Sequence, residues 1–380
     1  MDNWSWINSS PKTWTFLGRV ILKALLLFGL CNLVFAWIYP LEFLGRLSFY
    51  GTIYPARSRL PYSENPPDSY NVSLDNISAL FASHDISIPP ADDEFRVILI
   101  GDSNTWGWLL NHDETLSATI NNANIDINGQ TVLAYNLGYP VMSLSKDLLI
   151  LDEALNYQPD MIIWLVSLES FAPEQQLDSP LAQNNFTRLS LLIEQYELNI
   201  DLNDSRFIQP NFWERSIIGQ RRNLADLLRL QNYGLSWSAT GIDQVIPETI
   251  PLRESDFEED YAWYGFDEQS SLSENNLAFD VLQAGIEHTG DSPILIINEP
   301  IFISEGMNSD IRYNSFYPRW VYDDYRALLQ GTADDNQWLY LDLWDRIPAQ
   351  EFTDSPLHLS TIGTEQLAEI IVDVIVNLEE

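Results

Sequence analysis

Three residue types that together make an acyl-transfer relay stand at two ends of this chain. Ser103 follows the apolar run FRVILI within Gly101-Asp102-Ser103-Asn104. Asp354 and His358 lie near the carboxyl end, in Asp354-Ser355-Pro356-Leu357-His358, just ahead of a stretch with helical spacing. A serine hydroxyl becomes a nucleophile when an imidazole takes its proton, and a carboxylate orients that imidazole. On a tight strand-to-helix turn the serine amide also faces any oxyanion that develops. A second apolar run ends in Asn136-Leu137-Gly138, where a glycine lets backbone approach a substrate closely.

Such residues need a scaffold that brings them together. Residues 95–100, 131–137, 161–166, 293–297 and 338–343 are short, nearly continuous apolar runs, as expected of strands buried on both faces. Helical spacing occupies residues 144–156, 279–288, 320–330 and 364–377. This alternation predicts an α/β fold, a flavodoxin-like three-layer α/β/α sandwich around a mostly parallel five-stranded sheet. Ligands in such sheets bind at the carboxyl ends of the strands, where Ser103 and Gly138 fall. About 120 residues separate the third and fourth strands, far more than a crossover needs. They read as an inserted cap (residues 171–291) with a helix over 212–235 that carries Arg215, Arg221, Arg222 and Arg229.

The amino terminus carries a different signal. Residues 24–41, ALLLFGLCNLVFAWIYPL, are uncharged and long enough as a helix to approach the thickness of a hydrocarbon core. Lys12, Arg19 and Lys23 precede them, which predicts a cytoplasmic amino terminus and an extracytoplasmic body. A cleaved signal peptide is the rival reading, with Val34-Phe35-Ala36 as a loose cleavage site. The Pro- and Tyr-rich residues 42–94 read as a tether or a wrap over the domain. With 19 basic and 55 acidic side chains the net charge is −36, which excludes an ordinary nucleic-acid binder. The single cysteine, Cys31, excludes a disulfide scaffold. His84, His112 and His288 lack metal-ligand spacing, so no metal or cofactor is expected.

VILIGDSNTWG, YNLGYP and FTDSPLHLSTIGTEQLAEII together resemble the first, second and last blocks of the SGNH (GDSL-type) hydrolase family, over about residues 95–376. The resemblance implies a metal-free domain whose serine hydrolyses or transfers acyl groups. It implies Ser103 as nucleophile, His358 as general base, Asp354 as orienting acid, and the Ser103 and Gly138 amides as oxyanion donors. Two departures stand out. The family spaces its acid and histidine three apart, whereas Asp354 and His358 are four apart, with Ser355 at the family's position. The family's third block supplies an asparagine to the oxyanion, whereas here DMIIWLV leads into Ser167-Leu168-Glu169-Ser170, with Glu169 at that place. An ionised carboxylate about 4 Å from an oxyanion costs on the order of 4 kcal/mol at an effective dielectric of 20. Glu169 is therefore protonated or turned away, or the site is no ordinary esterase. Ser167, Asn298 or a backbone amide are the candidate replacements.

The expected organisation is a cytoplasmic segment (1–23), a transmembrane helix (24–41), a tether (42–94), and a catalytic domain in two parts (95–170 and 292–380) around the cap. The expected function is a membrane-anchored, extracytoplasmic serine esterase acting on an acylated envelope glycan or lipid. An envelope O-acyltransferase using the same serine is the alternative, and a non-catalytic glycan-binding scaffold a third.

Overall fold

A computed structural model describes residues 11–48, 51, 56–63 and 69–378, with side chains from residue 14 onward. The first ten residues of the expected cytoplasmic segment lie outside it.

Strand β1 (Glu94–Ile100) is buried along its whole length and sits inside the sheet. Its side chains alternate between two cores: Ile98 and Ile100 enter one, while Phe95, Val97 and Leu99 enter the other. That is the pattern of a strand covered on both faces. It is joined by β2 (Asp126–Ile127), β3 (Gln130–Asn136), β4 (Met161–Val166), β5 (Ile294–Asn298) and β6 (Leu339–Asp342), in the order β2-β3-β1-β4-β5-β6. The four pairings among the five strands expected from the sequence are parallel. The sheet nevertheless has six strands and is mixed, because β2 pairs antiparallel with β3. The cause is a tight turn at Asn128-Gly129, both at positive φ, an Asn-Gly hairpin signal that the strand count overlooked.

Chain order places β3 on one side of β1 and β4 on the other, so the direction of winding reverses at β1. The crevice at such a reversal is the usual ligand position. The residues following β1, β3 and β4 are those that hold Ser103, Gly138 and Ser167.

Helices cover both faces. Leucines of Leu144–Ala154 and apolar residues of Phe279–His288 and Arg319–Asn336 pack into the first core. Those of Leu116–Asn122 and Thr361–Leu378 pack into the second. At Gly285 a Cβ would come 2.3 Å from the Trp164 ring, so only glycine lets that helix lie so close to β4.

The amino-terminal helix runs Pro11–Ile38, longer at its start than the expected span and shorter at its end. Tyr39 at φ 47°, followed by Pro40, stops it before Leu41. Within Trp14–Ile38 the most apolar 18-residue window has a mean hydropathy of 2.2, and the helix is long enough to cross a membrane. The described part of residues 42–94 is an ordered wrap: Leu60, Val72 and Leu74 enter the core, and Arg57 and Arg59 are fully buried. The expected helix over 212–235 begins only at Arg221 and runs to Thr240, because residues 211–220 form tight turns instead.

Candidate active site

Ser103 opens the short helix Ser103–Trp106 directly beyond β1. Asp102 caps it by accepting the Asn104 amide at 2.9 Å. Gly107, at φ 88°, ends it in the left-handed region that favours glycine. The turn before it is as tight: a Cβ at Gly101 would come 2.3 Å from Thr105 Oγ1. The loop that follows is clamped by buried Arg59, which donates to the Gly107 and Leu110 carbonyls at 2.9 and 3.1 Å and pairs with Asp243 of the inserted region.

The three residues named from the sequence meet. Ser103 Oγ lies 2.8 Å from His358 Nε2, and His358 Nδ1 lies 2.9 Å from Asp354 Oδ1. The one extra residue between Asp354 and His358 is absorbed by a small loop. Phe352 and Leu359 form a bridge at its base, and the Thr353 amide donates to the His358 carbonyl at 2.8 Å. Ser355 turns back to accept the Leu357 amide at 3.4 Å. Burial would raise the Asp354 carboxyl, but the His358 hydrogen bond and charge outweigh it, and the group sits below its ordinary range. It is therefore ionised and able to stabilise an imidazolium. The Trp108 ring lies 5.9 Å from the His358 ring, and Tyr62 packs edge-on against Trp108.

The oxyanion side is less complete. As the first residue of a helix, Ser103 has an amide with no acceptor inside that helix. Gly138 approaches closely, since a Cβ there would stand 2.4 Å from the Trp106 nitrogen. Its amide, however, donates to Asn136 Oδ1 at 3.1 Å. Asn298 does not serve as a replacement donor. Its amide nitrogen donates to Asp342 at 2.8 Å and to Tyr322 at 3.3 Å, and its oxygen accepts from Tyr325. Ser167 is fully buried, with its hydroxyl against the Met142 sulfur at 3.6 Å. Glu169 is engaged from the long segment between β4 and β5, where the Tyr264 hydroxyl donates to its carboxylate. Burial, against that hydrogen bond, raises its carboxyl above the ordinary range.

Behind the serine lies a cluster that the sequence reading did not assemble. Lys146, fully buried, donates to the Gly101 carbonyl at 2.9 Å and the Tyr139 carbonyl at 2.8 Å, and pairs with Asp147 at 2.6 Å. It thereby ties the loop before Ser103 to the loop after Gly138. Glu299, equally buried, accepts from the Asn104 side chain at 3.1 Å. Burial and the nearby Asp102 push its carboxyl well above the ordinary range. One signal was available for Lys146: it is one of three lysines in a strongly acidic chain and the only one beyond the amino-terminal helix.

Among the described residues no group of His, Cys, Asp and Glu could hold a metal ion. His112 lines a cavity of about 680 Å³ with Arg59, Leu110, Asp243 and Val245.

No protein-family model and no curated protein matches the sequence. Solved structures do resemble it. A lipase/acylhydrolase from Enterococcus faecalis is 16% identical over 74% of this chain and 96% of that one, with a TM-score of 0.38. A carbohydrate acetylesterase family member from Sinorhizobium meliloti is 12% identical over 74% and 97%, at 0.34. The aryl esterase of M. smegmatis is 11% identical over 74% and 99%, also at 0.34.

Proposed function

We propose that the protein is a membrane-anchored serine esterase whose catalytic domain lies outside the cytoplasm and removes acyl groups from a cell-envelope glycan or lipid. The observation that carries this reading is the relay from Ser103 Oγ through His358 to Asp354, with both hydrogen bonds under 3 Å. His358 Nε2 takes the Ser103 proton as Oγ attacks the ester carbonyl. The tetrahedral oxyanion is met by the Ser103 amide, and by the Gly138 amide once it is shared with Asn136. The ester C–O bond then breaks, and the imidazolium hands its proton to the departing alcohol oxygen. Water, deprotonated by the same histidine, returns the acyl group as a carboxylic acid and restores Ser103. A hydrophobic helix of 25 residues supports anchoring in a membrane, and basic residues on its amino-terminal side support an extracytoplasmic domain. The Trp108 ring beside His358, backed by Tyr62, supports stacking on a sugar ring.

Intact-mass labelling of the full chain in detergent with a fluorophosphonate tests the reading. One adduct on the wild type, and none on Ser103→Ala or His358→Ala, is the expected result. A folded wild type that takes no adduct would overturn it and leave a binding protein on an esterase-like scaffold.

A further inference from the structure

The anchor helix does not stand apart from the domain. Asn32, inside the apolar helix, accepts the Ile218 amide at 3.1 Å. Near the helix end, the Arg215 guanidinium lies 5.3 Å over the Tyr39 ring. Asn32 is seven residues before Tyr39, about 10 Å along a helix axis. Residues 211–220 of the inserted region therefore run beside the outer end of the helix rather than above it.

That stretch is firmly built. Asn211 Oδ1 accepts the Trp213 and Glu214 amides at 3.0 and 3.2 Å, and the Glu214 carboxylate accepts the Asn211 amide at 2.8 Å. The Ser216 hydroxyl donates to the Trp213 carbonyl at 2.7 Å and accepts the Gly219 amide at 3.2 Å. At Gly219 a Cβ would come 2.2 Å from the Glu214 carbonyl oxygen, so the turn closes too tightly for any side chain. Yet this ordered turn holds large apolar groups outward: Trp213 is 71% exposed, Ile218 54% and Phe212 44%. Beside them Arg215, Arg221 and Arg222 are exposed and, among the described residues, form no salt bridge, although acidic side chains outnumber basic ones almost three to one. Apolar side chains and arginines presented side by side, level with a membrane helix, match the chemistry of an anionic lipid interface.

We propose that residues 211–222 make a second, monotopic contact with the bilayer that holds the anchor. Phe212, Trp213 and Ile218 enter the outer leaflet to the depth set by Asn32, and Arg215, Arg221 and Arg222 meet anionic headgroups. The inference rests on reading Pro11–Ile38 as a membrane span. It means that the domain is held in one orientation at the surface, so that ester groups close to the bilayer are presented to Ser103.

The test uses the full chain in vesicles of phosphatidylethanolamine and phosphatidylglycerol, with an environment-sensitive fluorophore on one thiol at a time. The label is placed on native Cys31, or on Trp213→Cys or Asp113→Cys in a Cys31→Ser background. Quenching by nitroxide-bearing lipid is compared with quenching by aqueous iodide. The expected result is blue-shifted emission and lipid quenching at positions 31 and 213, with iodide quenching at 113. Lipid quenching at 31 with iodide quenching at 213 would overturn the second contact and leave the span intact. Iodide quenching at both 31 and 213 would overturn the span and the contact together. Replacing phosphatidylglycerol with phosphatidylcholine should shift position 213 toward iodide quenching, and no shift would overturn the role given to the arginines.

Discussion

Lys146 and Gly101 are joined by a 2.9 Å hydrogen bond from a fully buried ammonium to the carbonyl two residues before Ser103. The same ammonium bonds the Tyr139 carbonyl and faces Asp147. A charge so deeply placed is tolerated only because each of its donors is matched.

Lys146→Met should therefore destabilise the domain by about 3–5 kcal/mol, because buried Asp147 loses its cationic partner and the Gly101 and Tyr139 carbonyls lose their donor. Urea unfolding gives the figure. The double variant Lys146→Met/Asp147→Asn should recover part of the loss, since neither charge then remains buried. A double variant no better than the single one would contradict this account.

Glu299 carries a pH signature. Its folded carboxyl lies well above the value of 4.5 for a free glutamic acid, chiefly through burial. The folded state thus binds the proton more tightly than the unfolded state does. The stabilisation is complete below pH 4.5 and is lost as pH rises through the folded value. Glu299→Gln keeps the shape and has no proton to lose, so its melting temperature should fall less than that of wild type over that range. Parallel slopes in a thermal melt series would refute the assignment.

Two neighbours compete for the orienting role. Asp354 reaches His358 Nδ1 at 2.9 Å, whereas Ser355, at the family's usual spacing, bonds the Leu357 amide. Asp354→Asn should lower kcat by about four orders of magnitude, as loss of the acid does in other relays. Ser355→Ala should leave kcat within about threefold, the loss of one weak hydrogen bond. Hydrolysis of a chromogenic acetyl ester separates the two.

Gly138→Ala probes the oxyanion side. The added methyl would stand 2.4 Å from the Trp106 nitrogen and 2.8 Å from the Thr105 carbonyl carbon, so backbone must move. Displacing one oxyanion donor is worth roughly 10²–10³ in kcat. KM should change far less, because the ground-state ester makes little use of that amide. Equal changes in kcat/KM through KM alone would show that the glycine serves packing and not the transition state.

The sequence alone determined the elements that depend on local periodicity. Runs such as FRVILI and MIIWLV have to be buried on both faces, so the parallel strands and their covering helices were legible within a residue or two at most ends. The serine, histidine and aspartate were legible because turn chemistry places side chains at strand ends without long-range information. The amino-terminal helix was legible as a long apolar run. The hairpin partner β2 was missed because two residues give no period to read, although Asn128-Gly129 announced its turn.

What only the tertiary structure decided are relationships between distant segments. Asn298, which ends β5 on the same sheet edge as the candidate donors, spends its amide on Asp342, Tyr322 and Tyr325, and no local pattern encodes that choice. Glu169 has its partner, Tyr264, 95 residues away in an irregular part of the cap. Gly138 lends its amide to Asn136, and Lys146 spans two loops that are adjacent only once β1 and β3 have paired. Hydrogen-bond partners and burial are set by which surfaces meet, a property of the folded chain that residue types and spacing leave open.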